Sequence, residues 1–364
     1  MQIAYENLKA ANAPFEDEIA AAVNDVLQSG WYINGSAVTR FEENFAAYIG
    51  AKHFIGVGNG LDALTLSLRA MDYPAGSDIL TASNSYIATP LAIRAAGHKP
   101  VLVEPDIETY NIDPARLATA MTPNTKAVML THLYGKAADM DPIMAFAEAQ
   151  GIDVFEDAAQ AHGTKYKGRS AGTFGVTGSF SFYPTKNLGC FGDGGGISTG
   201  DDALAEKLRA LRNYGSQQKY HNIYSGVNSR LDEVQAAILD VKLAHLDKIT
   251  AHKQRLAEVY FDRLPDALTL PQRHGDYHDV FHIFAVRTPE RDALRAHLAE
   301  HHIGTDIHYP IPPHRQKAMQ GLFEGDWPIA NELAETQLSL PISYGISEAD
   351  VHAICDAING YFGS

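Results

Sequence analysis

From about residue 50 to 200, short apolar runs alternate with amphipathic stretches. The runs at 53–57, 78–81, 100–103, 127–131 and 152–156 predict buried strands. Between them, 61–71, 87–96, 114–121 and 140–150 carry the apolar spacing of helices. Strand–helix alternation of this kind predicts a mostly parallel sheet covered on both faces. Upstream, 15–28 and 38–48 read as amphipathic helices flanking the loop Ser29-Gly-Trp-Tyr-Ile-Asn-Gly35. Downstream, 229–264 reads as one long helix, 280–286 as a strand, 290–301 as a helix and 348–361 as a terminal helix. The expected division is a large α/β domain over 1–245 and a smaller α+β domain over 246–364.

In parallel α/β sheets, ligands collect at the carboxyl ends of the strands. The residues with chemical promise sit there. The segment Val154-Phe-Glu-Asp-Ala-Ala-Gln-Ala-His-Gly163 ends an apolar run in an acid, Asp157. About thirty residues on, Ser181-Phe-Ser-Phe-Tyr-Pro-Thr-Lys186 places one lysine after an aromatic, β-prone stretch. A loop with Gly189, Gly192, Gly194, Gly195 and Gly196 follows and leaves room for a bulky planar group. A lone lysine and a carboxylate on neighbouring strand ends are what pyridoxal phosphate needs: an amine to carry it and a partner for its ring nitrogen. The ordinary alternatives are a surface lysine and an acid capping a helix; the pairing of the two argues against both.

Other residues take roles around that pair. The turn Gly58-Asn-Gly60-Leu61 follows a strand and opens a helix, so its backbone N–H groups suit a phosphate. It is neither a Walker A sequence nor a dinucleotide fingerprint, and many strand–glycine–helix turns hold no ligand. Ser181 could add a hydroxyl to the phosphate or simply bond backbone within its strand. Tyr86 could stack on the ring or belong to the core. Gln160 could lie against the ring or its phenolic oxygen, and His162 could support the ring or serve the structure alone. His308 and Tyr309 lie in a proline-rich loop suited to shaping a pocket.

Composition narrows the reading. A formal charge of −15 argues against nucleic acid as a partner. The two cysteines, Cys190 and Cys355, form no CxxC, and the 16 histidines form no HExxH, so no metal is expected. No apolar run approaches a membrane span and no signal peptide is evident, so a cytoplasmic protein is expected.

At the level of motifs, the chain resembles the DegT/DnrJ/EryC1/StrS sugar aminotransferases, pyridoxal phosphate enzymes of fold type I. The resemblance spans nearly the whole chain: Gly30-Trp-Tyr-Ile-Asn-Gly35, Gly58-Asn-Gly-Leu-Asp-Ala-Leu64, Asp106-Ile-Glu-Thr-Tyr-Asn-Ile-Asp113, His132-Leu-Tyr-Gly135, Glu156-Asp-Ala-Ala-Gln-Ala-His-Gly163, the Lys186 segment, Arg212-Asn-Tyr-Gly215 and Gly226-Val-Asn-Ser-Arg-Leu-Asp-Glu-Val-Gln-Ala-Ala237. It implies an aspartate-aminotransferase-like fold. It also implies that Lys186 carries the cofactor, Asp157 partners the ring nitrogen, Gln160 and Tyr86 contact the ring, and Ser181 with the Gly60-Leu61 backbone binds the phosphate. Asn228 matches a residue reaching the phosphate from a second subunit, which implies a homodimer with shared active sites.

The same resemblance implies L-glutamate as amino donor and a nucleotide-linked keto sugar as acceptor. An intact Lys186 favours transamination over the dehydratase chemistry of members with histidine there, and argues against a non-catalytic scaffold. The segments 58–64 and 219–230 resemble the branch aminating C3 of dTDP-3-keto-6-deoxyhexoses; members acting at C4 more often carry a Ser/Thr-rich phosphate turn. The alternative is a 4-aminotransferase acting on a UDP- or GDP-4-keto-6-deoxyhexose. On the C3 reading, Tyr183, His308 and Tyr309 line the sugar pocket, while Lys219, Tyr224 and Arg230 approach from the partner subunit; interface salt bridges are the plainer role for Lys219 and Arg230.

Overall fold

The five expected strands appear in the computed structural model, which describes residues 2–218 and 220–363. They are β1 (His53–Val57), β2 (Asp78–Ala82), β3 (Lys99–Val103), β4 (Thr125–Thr131) and β5 (Asp153–Asp157). A small hairpin follows, β6 (Lys165–Tyr166) with β7 (Arg169–Ser170), then β8 (Thr177–Ser181) and β9 (Gly195–Thr199). The central sheet runs β1-β9-β8-β5-β4-β2-β3. Only β9 is reversed, pairing antiparallel with both β1 and β8. The mostly parallel sheet expected from the strand–helix alternation is therefore present.

No apolar run announces β9, because its residues are Gly195-Gly-Ile-Ser-Thr199. The glycines are steric requirements. A Cβ on Gly196 would stand 2.1 Å from Phe54 Cζ, and one on Gly195 would stand 2.4 Å from the Asn59 carbonyl. β9 can lie against β1 only with those side chains absent.

One face of the sheet packs on an aromatic core of Phe41, Phe45, Phe54, Phe180 and Phe182, all essentially without exposure. Helices Glu16–Ser29, Ser36–Ile49 and Glu233–Ala244 cover it. Helix Ser36–Ile49 begins at Gly35, which has no capping side chain. Its first N–H groups are met from across the fold: Glu233 accepts from Gly35 N, Ala37 N and Val38 N at 2.7, 2.9 and 3.0 Å.

Three expectations are corrected. The single helix over 229–264 is two, Glu233–Ala244 and Leu246–Arg263, separated at His245 (φ −108°, ψ 2°). His245 N bonds back three residues to Lys242 O, which ends the first helix, and its ring stacks on Phe15 at 4.7 Å. Residues 114–121 form a 3-10 turn, Pro114–Arg116, and only one turn of helix, Leu117–Ala120. The strand expected over 280–286 begins at Phe284, because Val280 N bonds Gly135 O and Phe281 has φ 46°. That strand (Phe284–Arg287) pairs with Gln337–Leu340, which no apolar pattern marked.

A second core, including Leu256, Tyr260, Phe284, Leu294, Leu338, Val351 and Ile354, is drawn from residue 256 onward, joined by Ile3 from the N-terminus. Among the described residues, no helix is long and apolar enough to cross a membrane.

Candidate active site

The end of β5 is set rigidly by Glu156. Its buried carboxylate accepts from Gly172 N (2.6 Å), Phe174 N (2.6 Å), Gly175 N (2.7 Å) and the His132 ring (2.9 Å). The next residue, Asp157, is buried too, at 4% exposure. Thr89 Oγ1 donates to its Oδ2 at 2.8 Å and Ala159 N to its Oδ1 at 3.1 Å. Burial pushes the carboxyl above its usual range, while those donors and the Lys186 and His132 charges pull it back. A buried carboxylate held by two neutral donors is a ready seat for a cationic N–H.

Lys186 lies five residues beyond β8, where its own N–H donates to Tyr183 O at 2.8 Å. Its ammonium makes no hydrogen bond among the described residues. Burial brings it down to about 8, opposed by Asp157. That direction favours the free amine, the nucleophilic form.

The phosphate candidates meet where β8 ends beside helix Gly60–Arg69. Asn59 caps that helix by accepting from Asp62 N at 2.8 Å. A Cβ on Gly60 would stand 2.7 Å from Ser181 Cβ, so the Ser181 side chain and the helix start share one cradle. The first N–H groups of a helix have no intrahelical partner and attract anions. The Asp157 seat, the Lys186 amine and this cradle match what pyridoxal phosphate requires at ring nitrogen, carbonyl carbon and phosphate.

Gln160 is locked by two bonds. Its Oε1 accepts from Tyr134 N at 2.7 Å and its Nε2 donates to Tyr309 Oη at 2.9 Å. The Tyr309 ring lies 5.0 Å from that of Tyr86, which is half exposed. Burial raises the Tyr309 phenol and lowers His308, with Lys186 also lowering His308. His308 is held by Ser339 Oγ at 2.9 Å, and the Tyr134 hydroxyl bonds its carbonyl. The His308-Tyr309 loop therefore closes on the same site as Gln160 and Tyr86.

Through their side chains, the remaining candidates take no part in those hydrogen bonds. His162 sits in the aromatic core, 5.6 Å from the rings of Phe180 and Phe182, and burial pushes it down to about 3. Tyr183 is exposed. Tyr224 packs against the apolar cluster that includes Ile55, Val57 and Leu208, and Arg230 bonds Asn213 Oδ1 at 3.0 Å. Asn228 is exposed. None of Tyr224, Asn228 and Arg230 hydrogen-bonds to Lys186, Asp157, Gln160 or Ser181. Lys219 lies outside the described residues.

Sequence reasoning missed Thr89 and Tyr134. Thr89 comes three residues after Tyr86, and Tyr134 lies inside the quoted His132-Leu-Tyr-Gly135 run with φ 62°, so both stood close to flagged residues.

Known proteins resemble the chain as a whole. A dTDP-3-amino-3,6-dideoxy-alpha-D-galactopyranose transaminase from Aneurinibacillus thermoaerophilus is 49% identical over 360 residues, covering 99% of each chain. The crystal structure of DesV from S. venezuelae superposes with a TM-score of 0.97 at 44% identity, covering 99% of this chain and 98% of DesV. NtdA from Bacillus subtilis, solved with PMP bound, gives 0.93 at 26% identity, covering 100% of this chain and 86% of NtdA. Residues 14–359 match the DegT/DnrJ/EryC1/StrS aminotransferase family, and the chain belongs to that family of enzymes.

Proposed function

We propose that the protein is a pyridoxal phosphate-dependent transaminase acting on nucleotide sugars. It transfers the amino group of L-glutamate to the C3 keto group of a dTDP-3-keto-6-deoxyhexose, giving a dTDP-3-amino-3,6-dideoxyhexose. One observation carries the reading: Lys186, half-buried and with no hydrogen bond to its ammonium among the described residues, feels the charge of the buried Asp157, in a chain matching end to end a relative named for a 3-amino sugar.

Bound pyridoxal phosphate supplies an electron-accepting ring. Lys186 carries the cofactor and moves the substrate proton, Asp157 keeps the ring nitrogen protonated, and Gln160 and Tyr86 hold the ring's position. Ser181 and the Gly60-Leu61 backbone bind the phosphate. Tyr183, His308 and Tyr309 line the sugar pocket.

The working unit is a homodimer in which the 213–230 segment serves the other subunit's site, with Asn228 at its phosphate and Lys219, Tyr224 and Arg230 at the nucleotide or donor carboxylate. Support comes from the exposure of Asn228, Tyr214 and Ile223 on that segment, and of Trp31, Tyr32 and Phe191 on other loops. The small domain begins near residue 246, at the break between the two long helices. A cytoplasmic location accords with two buried, unbridged cysteines.

The deciding experiment offers L-glutamate with either a dTDP-3-keto-6-deoxyhexose or a UDP-4-keto-6-deoxyhexose and locates the new amine by NMR. An amine at C3 of the dTDP-sugar is expected. An amine only at C4 of the UDP-sugar overturns the proposed substrate while leaving the Lys186 chemistry standing.

A further inference from the structure

Helix Leu246–Arg263 turns an apolar stripe of Ile249, Leu256, Ala257 and Tyr260 inward, and Lys253 sits on that stripe. It is 4% exposed, and no carboxylate pairs with it among the described residues. Its Nζ donates to Asn187 Oδ1 at 2.7 Å and makes a longer contact with His282 O at 3.4 Å. Asn187 follows Lys186 directly in the chain, and its own Nδ2 donates to Val280 O at 3.0 Å. Leaving an ammonium buried without a counter-ion costs several kcal/mol, where methionine would pack at no such cost. A cation kept there, one residue from the reactive lysine, calls for a use.

We propose that Lys253 is a positioning residue for Lys186: it grips the Asn187 side chain, and so the turn from which Lys186 reaches, and sets a second positive charge behind the Lys186 amine. The inference rests on Lys186 being the lysine that carries the cofactor. The charged and titratable groups facing the pair are Asp157, Glu6, His162, His282 and His308, with Lys242 and Tyr344 lining the same cavity and the Lys242 ammonium bonded to Gly189 O at 2.6 Å. Asp157 favours the Lys186 charge, Glu6 favours the Lys253 charge, and the Lys186 charge disfavours that of Lys253, a repulsion that by Coulomb's law acts equally on both. The three histidines are pushed down by burial and add no standing charge near neutral pH. Lys253 thus biases Lys186 toward the free amine without touching substrate.

The test is the pH midpoint of the cofactor's visible absorption band in the resting holoenzyme, for wild type, Lys253→Met and Lys253→Arg. Removing a neighbouring buried charge should raise the midpoint by about one pH unit in Lys253→Met. Its kcat should fall about tenfold with KM little changed, while Lys253→Arg should keep the wild-type midpoint. A Lys253→Met enzyme with wild-type midpoint and kcat overturns the inference. Should Lys253→Met not fold, Asn187→Ala keeps the charge and removes the grip: a several-fold loss of kcat at an unchanged midpoint supports the inference, and wild-type kcat overturns it. A wild-type protein that develops no such band overturns the Lys186 assignment and this inference together. A normal wild-type band with an unaltered Lys253→Met variant overturns this inference alone.

Discussion

Replacing Gly60 with alanine tests the phosphate cradle at a single atom. The new Cβ would lie 2.7 Å from Ser181 Cβ and 3.2 Å from Ser181 Cα and Oγ. Carbon atoms rest about 3.5 Å apart or more, so the helix start and the end of β8 must separate by about 0.8 Å. The same turn also lies against Gly195, the strand partner of Ser181, whose own missing Cβ would fall 2.4 Å from the Asn59 carbonyl. Overpacking of this kind costs about 1–3 kcal/mol, and the better helix propensity of alanine offsets at most about 1 kcal/mol. The larger effect falls on the anion. Moving one donor out of range of a phosphate forfeits a charge-assisted hydrogen bond of about 1.5–3 kcal/mol, or about a 10- to 100-fold rise in Kd. Fluorescence titration of the apoenzyme with pyridoxal phosphate reads that rise, and thermal denaturation reads the small loss of stability. Gly200→Ala is the control, since a Cβ there meets nothing within 4 Å. A Gly60→Ala protein that folds and binds cofactor within twofold of wild type would refute the cradle.

Three further outcomes follow from the same geometry. Asp157→Asn removes the carboxylate charge at the ring-nitrogen seat, so holoenzyme should still form while turnover drops at least about a hundredfold, roughly 2.7 kcal/mol of barrier; unchanged turnover in steady-state assays refutes its role. Lys186, Lys242 and Lys253 are each brought down to about 8 by burial, so between about pH 8 and the ordinary lysine value of 10.5 the unfolded chain binds more protons than the folded one. Apoprotein stability should therefore rise with pH across that window, and Lys242→Met should remove one proton's share of the slope in denaturant titrations run at several pH values; an identical slope refutes the lysine's depressed titration. Gly196→Ala drives a Cβ to 2.1 Å from Phe54 Cζ and should cost more than about 3 kcal/mol or prevent folding, read by melting temperature; a near-native melt refutes the packing account of β9.

How much of this was legible in the chain depended on the range of the physics involved. Parallel strands buried on both faces must be apolar throughout, so β1 to β5 stood out, and ligand-bearing residues had to follow them. Asp157, Lys186 and the Gly60 turn could therefore be picked out as candidates. β9 was invisible because its contribution is the absence of side chains against Phe54, a property of its neighbour and not of its own sequence. The break at His245 likewise answers to Phe15, 230 residues earlier.

The sequence by itself determined the strand–helix alternation and the family, and singled out Lys186 and Asp157 as candidates, since each is carried by local pattern or by ordered motifs. Tertiary structure alone decided that Gln160 is locked between Tyr134 and Tyr309, that Thr89 holds Asp157, and that Lys253 stands behind Lys186 through Asn187. Hydrogen bonds and desolvation depend on distances between atoms far apart in the chain, here up to 149 residues for Gln160 and Tyr309. No local pattern of residue types encodes such a distance, and with it goes the burial that brings the Lys186 amine within reach of neutral pH.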